Sequence, residues 1–271
     1  MSNQSRVIAL GFFDGVHLGH GALLRRTAEE AKARGVRSAV FTWAQPPKEV
    51  VTGVPVPLIN SPEDRAWLAK HLYGIDDIIM VPFDQEMMTT SWQDFITEIL
   101  VKRYHAVHLV AGHDYHFGHR NQGDPDKLLS RCRERGIGCD IIPQVTLDGI
   151  TVSSTYIRTL VESGQMERAA DFLGHRHCLT RTVTQPDGST VTVTLTGDEW
   201  FHSYVTSDGL TVDFTPEGYA VYRSADGVSS VCVHELAERS AQEQSFIAAR
   251  ATSLTYAAQR AASPKVLARQ A

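Results

Sequence analysis

Short apolar runs alternate with longer stretches of helical periodicity over the first 178 residues of the chain. The apolar runs have the length and the polar flanks of buried strands. They are RVIAL (6–10), SAVFT (38–42), DDIIMVPF (76–83), AVHLVAG (106–112) and CDIIPQV (139–145). Because helical stretches separate successive runs, the pattern predicts βαβ units and a parallel sheet flanked by helices, which is a Rossmann-like α/β fold.

The pattern changes after residue 178. Residues 189–197 alternate polar and apolar side chains, and acidic-Gly turns recur at Asp187-Gly188, Asp208-Gly209, Glu217-Gly218 and Asp226-Gly227. Turns at this frequency predict a β-meander of short hairpins. The Ala- and Gln-rich stretch 237–262 predicts one helix that ends at Ser263 and Pro264. The chain is therefore predicted to have two domains, 1–178 and 179–271.

Charge and cysteine content narrow the class of protein. The net charge is −5, so the chain lacks the basic excess that binding to a nucleic-acid backbone requires. The four cysteines form no CxxC pair, and no apolar run reaches the roughly 18 residues of a membrane span. We expect a cytoplasmic protein with no nucleic-acid or membrane partner, and the sequence carries no signal for an oligomeric state.

The segment GFFDGVHLGH (11–20) lies between the first predicted strand and a helix that is expected to cover GALLRRTAEEAKARG. Loops in this position of a parallel sheet are where ligands bind. Gly11, Gly15 and Gly19 allow the backbone to approach a ligand, and loop amides beside a helix N-terminus form an anion site. His17 and His20 are candidate donors to a nucleotide triphosphate. The alternative is structural, with one histidine capping the helix and the other exposed.

A second candidate for phosphate binding is the hydroxyl run in TVSSTYIR (151–158). Ser153, Ser154 and Thr155 precede a predicted helix, and Arg158, one turn later, can hold phosphate oxygens with its planar guanidinium. Helix capping and an ordinary surface charge are the alternative roles. Five histidines lie between residues 105 and 119, but they have no cysteines or clustered carboxylates beside them, so we expect no metal site.

Three blocks together resemble one family. GFFDGVHLGH is similar to the HxGH signature of the nucleotidyltransferase superfamily, in the form found in prokaryotic FAD synthetases. VAGHDYHFGHRNQGDPDKL (110–128) and TVSSTYIRTLVESGQMERAADFLG (151–174) resemble two further blocks of that family, in the same order. The resemblance covers residues 6–178 and implies a Rossmann-like nucleotidyltransferase domain that acts as an FMN adenylyltransferase.

The resemblance also implies roles for individual residues. The implied reaction is attack of the FMN phosphate on the α-phosphorus of ATP, giving FAD and pyrophosphate, with Mg²⁺ carried by the ATP and no metal held by the protein. Catalysis is assigned to His17, His20 and Arg158, ATP binding to Gly11, Phe12, Phe13, Asp14, Gly19, Ser154 and Thr155, and contact with flavin or nucleotide to Asp114 and Phe117.

The chain departs from the family pattern in two places. In FTWAQPPKEV (41–50), Pro46 stands where family members usually have the histidine of a His-Pro pair. The Pro-Thr-Ala-Asn motif of the riboflavin kinase barrel is absent from the sequence, so kinase activity is not expected. Two alternatives therefore stay open: another nucleotidyltransferase of the superfamily, and a degenerate flavin- or nucleotide-binding protein.

Residues 184–230 resemble the N-terminal region of immune-inhibitor-A-type metalloproteases, most clearly in GDEWFHSYVTSDG. HELAE (234–238) lacks the second histidine of a zinc-protease helix, so protease chemistry is not expected. The segment is interpreted as a β-rich appendage with Trp200, Phe201 and His202 as core or interface residues. Gene recombination or a frameshift is the alternative origin, and an exported interaction module is the alternative function.

Overall fold

The computed structural model describes residues 4–197, 201–224 and 226–270, with no side-chain detail at 269 and 270. These residues form two compact units. The first runs to Thr159 and includes Phe172–Gly174, and the second comprises Leu160–Asp171 and the described residues from His175 onward. The domain boundary predicted at residue 178 stays a prediction.

The first unit contains a five-stranded parallel sheet in the order β3-β2-β1-β4-β5. The five predicted strands are confirmed, with ends that differ by up to three residues. Their bounds are β1 Arg6–Leu10, β2 Arg37–Trp43, β3 Asp77–Val81, β4 Ala106–Gly112 and β5 Gly138–Ile142. The α/β fold expected from the alternating pattern is thereby confirmed.

Helices connect these strands and continue beyond them. They are α1 Leu18–Arg34, α2 Pro47–Thr52, α3 Pro62–Tyr73, α4 Gln85–Thr89, α5 Trp92–Asp94, α6 Pro125–Arg135, α7 Ser154–Glu162 and α8 Met166–Leu173. A π-helical segment, Phe95–Arg103, continues α5, and a short 3₁₀ turn covers His119–Asn121. A small hairpin of β6 Thr146–Leu147 and β7 Ile150–Thr151 precedes α7.

The local sequence explains where these helices begin and end. Ser61 and Asp64 form a reciprocal capping box at the start of α3, and Gly74 ends that helix in the left-handed conformation. One hydrophobic core of the unit lies between the sheet and the π-helical segment, where Phe41 packs edge-on against Phe95 with ring centroids 5.4 Å apart. The packed strands and capped helices thus fix the carboxyl edge of the sheet, from which the loops that follow β1 and β4 leave.

The second unit is built on a six-stranded antiparallel sheet in the sequential order β13-β12-β11-β10-β9-β8. Its strands are β8 Cys178–Thr184, β9 Thr190–Gly197, β10 His202–Val205, β11 Thr211–Phe214, β12 Ala220–Ser224 and β13 Gly227–Cys232. Val191 and Val193 on β9 face a core that also contains Val212 and Tyr222. The predicted β-meander is confirmed.

The C-terminal helices differ from the sequence expectation. The single helix predicted over 237–262 is wrong, because α9 Ala241–Arg250 ends before the cap of α10 Tyr256–Ala262. The side chain of Thr255 accepts a hydrogen bond from Ala258 N and starts the second helix. Pro264 begins α11 Pro264–Gln270 instead of ending the helical region, since the fixed φ of proline suits a first helical turn.

Of the three residues singled out in the metalloprotease-like segment, Trp200 lies outside the described residues. Phe201 is half-buried and packs against Tyr256, with ring centroids 5.2 Å apart, as a core role requires. His202 is exposed at the start of β10, so it is not a core residue, and the interface role that was the other half of the prediction stays a prediction. Within the described part of the chain, no helix has both the length and the apolar character needed to cross a membrane.

Candidate functional site

The loop between β1 and α1 has an unusual backbone. Phe13 and Val16 have φ values of 58° and 42°, and Gly15 has a φ of 86°. Positive φ is uncommon for residues other than glycine and costs about 1 kcal/mol or more at each such position. A Cβ on Gly15 would lie 3.0 Å from Ile59 Cδ1, so the loop is also closely packed. Residues 11–17, which we call the histidine turn, therefore form a tight turn whose conformation is imposed by its surroundings.

The two histidines belong to the first turn of α1, which begins three residues earlier than the segment expected to be helical. His17 is the N-cap, and its Nδ1 accepts a hydrogen bond from His20 N at 3.2 Å. The two imidazoles stack, with centroids 3.6 Å apart and planes 12° apart. His17 therefore has the capping role that was the structural alternative for one of the histidines. Its ring is at the same time stacked on that of His20.

Hydrogen bonding defines what each imidazole can donate. A backbone N–H can only donate, so Nδ1 of His17 is the acceptor and a neutral His17 carries its proton on Nε2. Nδ1 of His20 is buried and has no hydrogen-bond partner among the described residues. Burial, then His17 and then Arg65 lower the pKa of His20 well below 6.5, so His20 is neutral near pH 7.

The lowered pKa of His20 predicts a pH dependence of stability. Unfolded chains protonate this histidine near pH 6.5, whereas the folded chain does so only at lower pH. The free energy of unfolding should therefore fall as the pH drops below about 6.5, by at most about 1.4 kcal/mol per pH unit, the limit for one proton. Urea unfolding of the wild type and His20→Gln between pH 7.5 and 5 tests this, and equal slopes for the two proteins would contradict it.

Asp14 occupies the centre of the turn and its side chain is only 3 % exposed. Its Oδ1 accepts hydrogen bonds from Ile59 N at 2.9 Å and Asn60 N at 3.3 Å. Its Oδ2 lies 3.4 Å from the Arg158 guanidinium, and its carbonyl oxygen accepts from Ser154 Oγ at 2.8 Å. The residue joins three segments that are far apart in the sequence.

The hydroxyl run lies at the start of α7, where Ser153 Oγ accepts a hydrogen bond from Tyr156 N at 3.2 Å. Ser154 and Arg158 reach the turn through Asp14, and 26 % of the Arg158 side chain is exposed. Thr155 is exposed and makes neither of these contacts to the turn. The structure therefore brings Ser154 and Arg158 to the histidine turn, and the phosphate contacts predicted for them stay a prediction.

Arg65 is a residue of this site that the sequence patterns did not single out. It lies on α3, is 2 % exposed, and stacks over the Phe12 ring at 4.3 Å. Its guanidinium donates to Phe12 O at 2.6 Å and to Trp43 O at 3.2 Å. Burial lowers its pKa below the usual value of an arginine. The available signal was its spacing from Leu68 and Ala69, which places it on the buried face of the helix.

Gly11 lies in the histidine turn and Gly19 at the start of α1, and the other predicted residues lie elsewhere in the first unit. Gly11 N donates to Phe41 O at 3.3 Å, and a Cβ on Gly19 would lie 3.2 Å from the His17 ring, so Gly19 leaves room for that ring. Asp114 and Phe117 follow β4, which is adjacent and parallel to β1, so their loop leaves the same edge of the sheet. Pro46 is buried and is the N-cap of α2.

Asp114 and Phe117 have opposite environments. The Asp114 side chain is 80 % exposed, with His113 Nδ1 4.0 Å from its carboxylate. Phe117 is 4 % exposed and packs against Tyr115 and Phe95, with ring centroids 5.4 and 5.7 Å away. Asp114 is open to a ligand in this arrangement, whereas the Phe117 ring is part of the core beneath the loop.

Comparison with known proteins identifies the family. The family model described as FAD synthetase matches residues 1–156, which is more than half of the chain. The chain belongs to the FAD synthetase family. The HxGH histidines and the whole hydroxyl run lie within the matched segment, while Arg158 lies two residues beyond it.

Curated relatives agree with membership of the FAD synthetase family. A bifunctional riboflavin kinase/FMN adenylyltransferase of Listeria monocytogenes is 33 % identical over 68 % of this chain and 58 % of its own length. A bifunctional protein of the same description from Pseudomonas fluorescens is 34 % identical over 62 % of this chain and 54 % of its own length. An FAD synthetase of L. monocytogenes is 28 % identical over 67 % of this chain and 73 % of its own. The chain thus spans just over half the length of the bifunctional relatives.

A solved structure shares the fold of this FAD synthetase family member. It is described as a macrolide-efflux protein from Streptococcus pneumoniae and superimposes with a TM-score of 0.59. The two chains are 23 % identical, over 82 % of this chain and 83 % of the other. At this identity the likeness concerns the fold alone.

The His-rich run of the chain is distributed over unrelated environments. His108 on β4 is buried and contacts Asp140 Oδ2 through Nε2 at 3.1 Å and the Arg34 guanidinium through Nδ1 at 3.0 Å. His119 contacts Met88 O through Nδ1 at 2.8 Å. Among the residues that the structure describes, no three His, Cys, Asp or Glu side chains are grouped closely enough to hold a metal ion.

Proposed function

We propose that this FAD synthetase family member is an FMN adenylyltransferase, which transfers AMP from ATP to FMN and releases pyrophosphate. The observation that carries the proposal is the convergence of His17, His20, Ser154 and Arg158 on the strained turn at the carboxyl edge of the parallel sheet. The family match and the FMN adenylyltransferase activity for which the bifunctional relatives are named support the same reaction. Small molecules, FMN and ATP, are the proposed substrates.

The proposed chemistry requires alignment and charge neutralisation more than proton transfer. A phosphate oxygen of FMN attacks the α-phosphorus of ATP, and the bond between that phosphorus and the bridging oxygen of pyrophosphate breaks. The Nε2–H of His17, the first amides of α1 and the Arg158 guanidinium are donors suited to phosphate oxygens that gain charge during the transfer. A neutral His20 packs beside His17 and keeps this donor in place.

Among the residues that the structure describes, those at this site do not fit a metal cage. Asp14, the carboxylate within the turn, is already bonded to two backbone amides and lies against Arg158. We therefore propose that Mg²⁺ comes with the ATP phosphates, where it offsets part of their charge, and that no side chain described here coordinates it. Asp114 is the proposed ligand-facing residue of the loop after β4, and Phe117 the support beneath it.

A cytoplasmic location is part of the same proposal. Its support is that none of the four cysteines, all of which the structure describes, forms a disulfide, as is usual for thiols in a reducing compartment. The proposed function does not include riboflavin phosphorylation, because the Pro-Thr-Ala-Asn motif expected of that domain is absent from the sequence.

One observation favours a second candidate function, a flavin- or nucleotide-binding protein without turnover. Pro46, which replaces the usual histidine, is buried as the cap of α2 and has no donor to offer a substrate. If this position carried an essential contact, ATP and FMN would still bind but no FAD would form. Calorimetric binding of an ATP analogue, measured beside turnover, separates the two functions.

Product analysis tests the proposed reaction directly. Purified protein is incubated with ATP and Mg²⁺ and either FMN or riboflavin, and the flavins are separated by chromatography. We expect FAD and an equal amount of pyrophosphate from FMN, and neither FMN nor FAD from riboflavin. Binding of both substrates without FAD would overturn the proposed function, and FMN formed from riboflavin would overturn the assignment of a single activity.

A further inference from the structure

We infer that Asp14 is a positioning residue that acts through Arg158, and that it does not bind ATP itself. This inference rests on the proposed function, because it assigns to Asp14 a part in holding the nucleotide. Its carboxylate is 3 % exposed and faces Arg158, which leaves no oxygen open to a ligand. A carboxylate also repels phosphate oxygens, so direct contact with the triphosphate would oppose binding.

The geometry shows how Asp14 sets the position of Arg158. Oδ1 is fixed by the amides of Ile59 and Asn60, which orients Oδ2 towards the guanidinium 3.4 Å away. The carbonyl oxygen of the same residue accepts from Ser154 Oγ, four residues before Arg158 on α7. The backbone carbonyl of Asp14 thus holds Ser154, and its side chain holds Arg158, so one turn of α7 is fixed against the histidine turn.

Arg158 has the features of a group held for a ligand. Its Nε is buried and has no hydrogen-bond partner within the described chain, while 26 % of the side chain is exposed. One buried negative charge draws the guanidinium towards the turn, and the exposed part is left to face the phosphates. Without that charge, the guanidinium would gain by moving out into solvent, where it is better hydrated.

The test combines Asp14→Asn with Arg158→Met in a double-mutant cycle. Asparagine keeps an oxygen for the Ile59 and Asn60 amides but removes the negative charge that faces Arg158. We expect Asp14→Asn to weaken binding of the non-hydrolysable analogue α,β-methylene-ATP about tenfold, as loss of one charge-assisted contact would. In the Arg158→Met background the same substitution should have no further effect.

Asp64→Asn is the matched control, since Asp64 is a buried carboxylate of the α3 capping box that also accepts from a backbone amide. It should lower thermal stability and leave analogue affinity within about twofold, with or without Arg158. Equal weakening by Asp14→Asn in both backgrounds would assign Asp14 a structural role and overturn the inference. The inference would also be overturned if the wild-type protein did not bind α,β-methylene-ATP.

Turnover measured on the same proteins separates this inference from the proposed function. Coupled binding effects together with FAD formation support both. Coupled binding effects without FAD overturn the adenylyltransferase proposal and leave the positioning role of Asp14 intact. FAD formation together with equal weakening by Asp14→Asn in both backgrounds supports the adenylyltransferase proposal and overturns the positioning role of Asp14.

Discussion

Replacing Arg158 or His20 by alanine should lower kcat/KM for FAD formation by about 10²–10³-fold, the usual cost of removing one preorganised donor or its support at a site of developing charge. Arg158→Ala removes the guanidinium that Asp14 holds at the turn. His20→Ala removes the ring stacked on His17 but keeps the backbone N–H that His17 accepts, so α1 retains its cap. Steady-state release of pyrophosphate over a range of ATP concentrations gives the two parameters separately.

Arg133→Ala is the control for these variants, because Arg133 is an exposed residue in the last turn of α6. It should keep wild-type kinetics. Each variant is first checked for a native circular dichroism spectrum, so that lost activity is not lost structure. If Arg158→Ala retained more than about a tenth of wild-type kcat/KM, its role as a phosphate ligand would be wrong.

The largest effect on stability is expected for Arg65→Met. Methionine replaces the volume of the buried side chain but donates no hydrogen bond. The Trp43 and Ala44 carbonyls then lose the donor Arg65, and Phe12 O keeps only the hydroxyl of Thr42. Each such buried acceptor costs about 1–3 kcal/mol. We expect the free energy of unfolding to fall by about 2–5 kcal/mol, measured by urea unfolding at pH 7.5.

Lys70→Met is the matched control, since Lys70 lies on the same helix and is exposed. A change of no more than about 0.5 kcal/mol is expected there. A similarly small change for Arg65→Met would mean that the guanidinium is no better satisfied in the folded protein than in water, and the role of Arg65 in holding the turn would be abandoned.

Periodicity and caps were enough to predict most of the architecture. Apolar runs located the five parallel strands, because the central strands of such a sheet are buried and even the edge strands β3 and β5 are half-buried. Acidic-Gly turns located the meander, because tight hairpin turns need a residue with positive φ and a meander repeats them at short intervals. The break between α9 and α10 was missed because Ala- and Gln-rich sequence favours helix on both sides of it.

The candidate site was predicted in part. Glycines and histidines next to a strand identified the turn, and the hydroxyl run identified its partner segment. The helix start was misplaced because histidine is not among the usual N-cap residues, so the local sequence did not show which of the two histidines caps the helix. The contacts of Arg65 with Phe12, and of Asp14 with Ile59, join positions about 45 to 53 residues apart, and only the tertiary packing reveals them.

Paired strands are close together in the sequence of the antiparallel sheet and far apart in that of the parallel sheet. We expect this difference to give an order of folding. In the meander of the second unit each strand pairs with its neighbour in sequence, whereas β1 of the first unit pairs with β4, placing Arg6 opposite Ala106. Closing a long loop before any contact is gained slows folding, so contacts of low sequence separation form first. The hairpins of the C-terminal sheet should thus gain protection from hydrogen exchange early, while the sheet that supports the histidine turn completes its pairing late.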